Sequence, residues 1–249
     1  MNEVWKILLL FLVGNLTGFI NVMAGGGSTL ILPLLIFFGL DASVANGTNR
    51  IGLLSQNLFG ILSFKKEKVS QFKLSLKMAL FTLPGAIIGA IYATKISNAV
   101  FEKLLGVIMI GIVITMMVPS SKKYVNEKIL GKVPWLIYPI MFALGFYGGF
   151  IQVGIGFLLM IALHRVLKMN MLYVNFHKVF IVMVYTIPAL IIFAVTGNIN
   201  WIYGISLGAG TGLGAWWSAK VAVRKGEKVI KLVLTIAILI MSLKLLGVF

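Results

Sequence analysis

"NVMAGGGSTLILP", residues 21–33, sets three consecutive glycines inside an otherwise strongly apolar stretch. Glycine is a poor helix former, so a helix arriving from the N-terminal side is expected to break at Gly25, Gly26 and Gly27. The chain around the break has the composition of a membrane protein. Of its 249 residues, 60% are hydrophobic and 11% charged, and the mean hydropathy is +1.04. Soluble domains are roughly half apolar. Apolar runs of about twenty residues, enough to cross a hydrocarbon core of about 30 Å, recur along the whole sequence. The expected fold class is therefore an all-α polytopic membrane protein, at home in the cell membrane with the lipid bilayer as its solvent.

The same composition excludes several chemistries. Cysteine is absent, which removes disulfides and thiolate catalysis. The formal net charge of +16 is read as lysine and arginine gathered in cytoplasmic loops, not as a nucleic-acid surface. No HExxH metal motif and no phosphate-binding loop occurs, so neither a metal, a cofactor nor ATP is implied. The N-terminal segment has the outline of a signal peptide, with Lys6, an apolar core over Ile7–Val13 and small residues near Ala24. A similar segment recurs inside the chain, where nothing can be cleaved, so this one is expected to stay in the mature protein.

That recurrence extends over both halves. "TGFINVMAGGG" aligns with "YGGFIQVGIGF" at a shift of 131, pairing Gly18 with Gly149, Asn21 with Gln152 and Gly25 with Gly156. Asn46 pairs with Asn175 and Asn49 with Lys178 at a shift of 129. The stretch from Pro84 aligns with that from Gly210 at a shift near 125, pairing Gly85 with Gly210, Gly89 with Gly214 and Glu102–Lys103 with Glu227–Lys228.

Each half holds five apolar segments. They span about 5–23, 28–40, 43–64, 74–94 and 100–118 in the first half, and about 134–152, 154–167, 171–196, 199–219 and 229–247 in the second. This divides the chain into a first transmembrane repeat (1–118), a basic cytoplasmic linker (119–133) and a second repeat (134–249). An odd number of segments per repeat makes the two halves face opposite ways. Loop charges agree: "KKEKVSQFKLSLK" after the third segment is basic while its counterpart "TGNIN" is uncharged, and the bias reverses after the fourth segment. Counting back from the basic loops places both termini outside.

The second segment of each half is too short to span. Short, glycine-interrupted segments at matching places in two repeats point to a transporter's midplane site. Irregular backbone at membrane depth must line a cavity or be buried in protein. Ser28 is expected to cap a short helix whose first turn presents N–H donors and the positive end of a dipole to an anion. The competing expectation is that the glycines only let helices pack closely.

The third segments carry the polar groups. "ASVANGTNRIGLLSQNLFGILSF" contains Asn46, Thr48, Asn49, Arg50, Ser55, Gln56 and Asn57, and its counterpart contains Asn175, His177, Lys178 and Tyr185. An ionisable group at a helix centre costs about 2.5–3.5 kcal/mol on insertion scales, so such groups are functional by default unless they snorkel to the headgroups. The six acids, Glu3, Asp41, Glu67, Glu102, Glu127 and Glu227, all fall in loops or at segment ends. Buried cations without carboxylates call for an anion from elsewhere, which favours an anionic substrate over a cation. His177, the one titratable imidazole well inside a span, is the candidate for coupling to protons. His164, beside Arg165 at a segment end, is expected at the interface, as are Trp5, Trp135, Trp201, Trp216 and Trp217.

"GFINVMAGGGSTLILPLL", "VANGTNRIGLLSQNLFG" and "PGAIIGAIYA" together resemble the sulfite exporter TauE/SafE family of membrane transporters. The resemblance covers essentially the whole chain and implies a multi-pass carrier of small sulfur-containing anions, sulfite or organosulfonates. The second copy departs from the first, with Phe157 after Gly156 and His164 where Pro33 stands. The expected substrate-binding set is Gly25, Gly26, Gly27 and Ser28, with Gly154 and Gly156 opposite, Arg50, Lys178 and His177 for charge, and Asn46, Thr48, Asn49 and Asn175 to orient oxygens. A passive anion channel is the alternative. An intramembrane hydrolase pairing Ser28 with His164 or His177 is a weaker one, lacking a third orienting group.

Overall fold

The computed structural model describes residues 2–69, 71–117 and 133–222, and among these there are nine helices and no strand. They are α1 (Glu3–Ala24), α2 (Ser28–Phe37), α3 (Ala42–Lys66), α4 (Phe72–Ala93), α5 (Asn98–Met117), α6 (Ile137–Phe150), α7 (Ile155–Leu167), α8 (Met171–Val195) and α9 (Trp201–Ala222). Each begins or ends within a few residues of an expected segment. The tenth expected segment, 229–247, and residues 119–132 of the linker lie outside the described residues.

Among the described residues, three helices are long and apolar enough to cross a membrane: Glu3–Val22, Phe72–Ala93 and Met171–Val195. Their outward faces are oily. On α1, Leu8, Leu12 and Leu16 are exposed at intervals of one helical turn, and α9 exposes Ile202, Ile205, Leu213 and Trp217. Water would penalise such stripes, whereas lipid accepts them. Trp5, Trp135, Trp201 and Trp217 are likewise exposed near helix ends. By contrast α3 is as long as any helix but polar, and it buries Asn46, Thr48, Asn49, Arg50, Gln56 and Asn57. That pattern belongs to a helix surrounded by other helices.

Backbone contacts between helices are made through glycine. α1 packs along α9, where a side chain at Gly14 would strike Leu207 and one at Gly18 would strike Thr211; in return Gly210 fits against Phe11 and Gly214 against Asn15. α4 packs along α6 in the same way, with Gly85 on Phe142, Gly89 on Phe146, Gly145 on Thr82 and Gly149 on Ala86. Without a hydrophobic drive between helices in lipid, such close van der Waals approach is what holds them together. Hydroxyls add cross-helix bonds: Ser206 Oγ donates to Ile7 O at 2.7 Å, Ser218 Oγ to Phe19 O at 2.7 Å and Thr211 Oγ1 to Gly52 O at 2.8 Å.

The opening glycines break α1 as expected. Gly25 closes it in the left-handed conformation (φ +83°), its N–H returning to Asn21 O at 2.9 Å. The next helix starts differently from expectation: Gly27 holds the N-cap place and Ser28 is the first helical residue. A cap side chain must precede the first helical turn to reach its N–H groups, and Ser28 sits one position too late. Its hydroxyl is buried without a hydrogen-bond partner. α7 likewise starts after a left-handed glycine, Gly154 (φ +69°). At about 1.5 Å per residue, ten residues of α2 and thirteen of α7 reach about 15 and 20 Å, short of a bilayer core.

Candidate functional site

The breaks in α1 and α6 bring their last carbonyls inside the bundle, where the polar residues of α3 and α8 meet them. Arg50, on α3, is fully buried. One guanidinium nitrogen, Nη1, donates to Gly148 O at 3.4 Å and the other, Nη2, donates to Gly149 O, both at the end of α6. The guanidinium carbon stands 4.6 Å from the centre of the Phe193 ring, within cation–π range. Asn46, one turn earlier, donates from Nδ2 to Phe150 O at 2.7 Å. Gln152 Nε2 reaches back to Asn46 O at 3.4 Å.

Lys178, on α8, plays the equivalent part at the end of α1. Its Nζ donates to Asn21 O at 2.9 Å, to Val22 O at 3.2 Å and to Asn175 Oδ1 at 2.8 Å, with Met160 Sδ at 3.7 Å. Only 3% of it is exposed. Neither cation snorkels to the lipid headgroups. α3 thus sends a cation to the carbonyl end of α6, and α8 sends one to the carbonyl end of α1.

These contacts correct the expectation that the buried cations must look outside the protein for negative charge. The C-terminal end of a helix carries roughly half a negative charge on its last carbonyls, and it is carbonyls at such ends that hold Arg50 and Lys178, although Asn21 O also accepts the Gly25 N–H. Half a charge leaves a positive remainder. Arg50 has no carboxylate partner among the described residues: Glu3 pairs with Lys6 at 2.8 Å, and Asp41 accepts from Asn98 Nδ2 at 2.7 Å. Its Nε also has no hydrogen-bond partner.

A small cavity of about 10 Å³ lies beside Lys178, lined by Asn21, Gln56, Asn57 and Gly156 among others. That is room for about one water molecule. Asn21 Oδ1 in its wall is unpartnered. Asn21, Gln56 and Asn57 are absent from the expected binding set. Gln56 and Asn57 were visible as polar residues inside a span, but only the packing shows that they face Lys178.

The remaining expected residues separate into two groups. Gly156 meets Gly25 backbone to backbone, and Gly27 sits against Thr17 O. Gly26 O accepts from Thr29 Oγ1 at 2.6 Å. The triglycine turn therefore packs against helices as well as opening α2. Gly154 faces away from this contact, toward Ile112 of α5. Thr48 is engaged elsewhere, its hydroxyl accepting from Asn200 N at 2.9 Å just ahead of α9. Asn49 is buried with its Nδ2 unpartnered. His177 is fully buried, its Nδ1 lies 2.7 Å from Ser75 Oγ of α4, and its Nε2 has no partner.

His164 departs from expectation. It is buried, with Nδ1 2.8 Å from Met169 O, because the chain turns directly after α7 and wraps back over it. Neither histidine bonds Ser28, so no nucleophile–base pair exists there.

A bundle with oily flanks, helices broken at glycine and cations buried at the breaks defines a class: the polytopic membrane transporter. The chain belongs to the Sulfite exporter TauE/SafE family, whose profile matches residues 10–245. It is 27% identical over 247 residues to the probable membrane transporter protein ORF9 of Sinorhizobium sp., covering 97% of this chain and 92% of that one. It is 25% identical to a probable membrane transporter protein of Haemophilus influenzae, covering 96% and 94% of the two chains. It is 28% identical to the probable membrane transporter protein YfcA of Escherichia coli K12, covering 96% and 88%. No solved structure matches it. The protein is a membrane transporter and not an enzyme.

Proposed function

We propose that this transporter carries a small sulfur oxyanion, sulfite or an organosulfonate, by alternating access. The observation that carries this reading is Arg50: a fully buried guanidinium with one N–H unpartnered, held by carbonyls that offset only part of its charge. A buried positive remainder is costly unless an anion arrives to share it. Lys178 and its amide-lined cavity supply a similar environment at the other break. The family description, sulfite exporter, supplies the chemical class.

The carrier is built from two inverted repeats, residues 1–118 and 134–249, joined by a basic cytoplasmic linker at 119–133, with both termini outside. Support comes from glycine contacts that recur at matched positions. Shifting α1 by 131 and α9 by −125 turns Gly14–Leu207 into Gly145–Thr82 and Gly18–Thr211 into Gly149–Ala86. It also turns Gly210–Phe11 into Gly85–Phe142, and Gly214–Asn15 into Gly89–Phe146. Four approaches repeated in register support a duplicated unit; the opposite orientation rests on the odd number of segments and the loop charges.

In this reading Gly25–Ser28 and Gly154–Gly156 lie at the midplane and Asn46, Asn49 and Asn175 orient oxygens; Thr48 helps to fix the start of α9. Rocking of one repeat against the other alternates access. His177 is the proton-coupling group. A proteoliposome uptake screen tests the class of substrate, comparing sulfite, sulfonates, sulfate, thiosulfate and carboxylates with and without a pH gradient. Saturable uptake of sulfite or a sulfonate is expected. Flux that never saturates would make the protein a channel, and sodium-dependent uptake of a cation would refute an anion carrier.

A further inference from the structure

The polar wall of the cavity beside Lys178 has counterparts at matched positions in the other half of the sequence. That wall is Asn21, Gln56, Asn57 and Lys178. In the repeat register these positions correspond to Gln152, Tyr185, Thr186 and Asn49. Each of those four carries a buried side-chain atom with no hydrogen-bond partner in the protein: Gln152 Oε1, Tyr185 OH, Thr186 Oγ1 and Asn49 Nδ2. Arg50 Nε, next to Asn49 in sequence, is a fifth. All five residues are at most 2% exposed. Buried polar groups are almost always paired, so an unpaired set at matched positions marks a place built for something else. Leu53 and Val182, counterparts of each other at a shift of 129, both line the Lys178 cavity.

We propose that Asn49, Arg50, Gln152, Tyr185 and Thr186 form a second oxyanion subsite, the counterpart of the Lys178 cavity across the Gly25–Gly156 contact. This rests on the reading that the chain carries small oxyanions. Arg50, Gln152 and Tyr185 are drawn together around the end of α6, and Asn49 and Thr186 are their neighbours in sequence. Arg50 bonds Gly148 O, Gln152 bonds the backbone of Asn46, and a side chain at Gly148 would meet the Tyr185 hydroxyl at 2.7 Å. The free groups favour an anion. Arg50 Nε and Asn49 Nδ2 only donate, the Tyr185 and Thr186 hydroxyls can donate, and Arg50 supplies full positive charge. A tetrahedral oxyanion takes several such donors at once. Gln152 Oε1 only accepts, so Gln152 serves the subsite as an acceptor for a protonated oxyanion or a bridging water while its Nε2 stays on Asn46 O.

The test is equilibrium titration of the detergent-solubilised full chain with methanesulfonate in a chloride buffer free of other oxyanions. The variants are the near-isosteric pair Tyr185→Phe with Thr186→Val, and separately Gln56→Leu with Asn57→Leu. The wild type is expected to show two classes of site. The first double variant weakens one by about tenfold or more and leaves the other, and the second does the reverse. Because the Tyr185 and Thr186 hydroxyls are unpartnered, removing them leaves the unliganded melting temperature unchanged or raised, which separates a ligand role from a folding role. Wild-type titration that persists unchanged in Tyr185→Phe/Thr186→Val overturns the subsite alone. A single class weakened alike by both double variants overturns it too. A wild type that binds no oxyanion refutes the carrier reading and the subsite together.

Discussion

Gly25 and Gly156, which pair in the repeat register, touch each other in the folded chain. A Cβ on Gly25 would lie 2.8 Å from the Gly156 carbonyl carbon, and one on Gly156 would lie 2.5 Å from Gly25 O. The two helix breaks therefore meet at one point. Gly156→Ala is expected to force the breaks apart, costing about 1–3 kcal/mol as overpacking does. Gly39→Ala is the contrast: Gly39 has a positive φ (+94°), which Gly156 lacks, but nothing within 4 Å of an added Cβ, so it bears only the backbone cost of about 1–2 kcal/mol. Thermal unfolding in detergent compares their stabilities, and uptake should fall in Gly156→Ala while Gly39→Ala transports normally.

Arg50 holds two carbonyls with a planar fork and lies against Phe193. Lysine cannot reproduce that geometry although it keeps the charge. Arg50→Lys is therefore expected to retain a measurable fraction of uptake with a raised KM. Arg50→Met should abolish uptake and lower stability by about 1–3 kcal/mol, the cost of stranding the Gly148 and Gly149 carbonyls. Unfolding curves and initial uptake rates on the same preparations check both.

Ser28 gives the opposite signature. Its hydroxyl is buried and unpartnered, so Ser28→Ala removes nothing that holds the fold. Stability should stay within about 0.5 kcal/mol of wild type while KM for the anion rises. A melting temperature that drops sharply would give Ser28 a structural role instead.

His177 tests the coupling ion. Its Nε2 is buried and free, and its Nδ1 is fixed by Ser75. If protons move with the anion through this imidazole, wild-type uptake responds to an imposed pH gradient and His177→Asn does not. Equal responses in the two proteins would remove His177 from the mechanism.

Much of this was legible in the residues. The glycine break, the helix boundaries to within a few positions and the depth of Arg50 and Lys178 all follow from local rules: helix propensity, apolar run length and the scarcity of acids. What the sequence hid was the cations' partners. Carbonyls at a helix end belong to every residue type, so no letter announces that Gly148, Gly149, Asn21 and Val22 would receive Arg50 and Lys178. The side toward which a helix turns was hidden as well. Thr48 and Arg50 are two residues apart, yet Thr48 faces the start of α9 while Arg50 faces the end of α6. Gln56, Asn57 and Tyr185 read in the sequence as ordinary intramembrane polar residues; the packing places Gln56 and Asn57 beside Lys178 and leaves the Tyr185 hydroxyl unpaired.

The most direct test is saturable uptake of isotopically labelled sulfite into proteoliposomes holding the wild type, Arg50→Met or Lys178→Met, each confirmed folded by its size-exclusion profile. Wild-type vesicles should saturate, and each folded variant should lose at least about nine-tenths of the rate, the tenfold that about 1.4 kcal/mol of lost anion stabilisation produces. Folded Arg50→Met protein that moves sulfite as fast as wild type would show that the buried positive charge serves the helix ends alone.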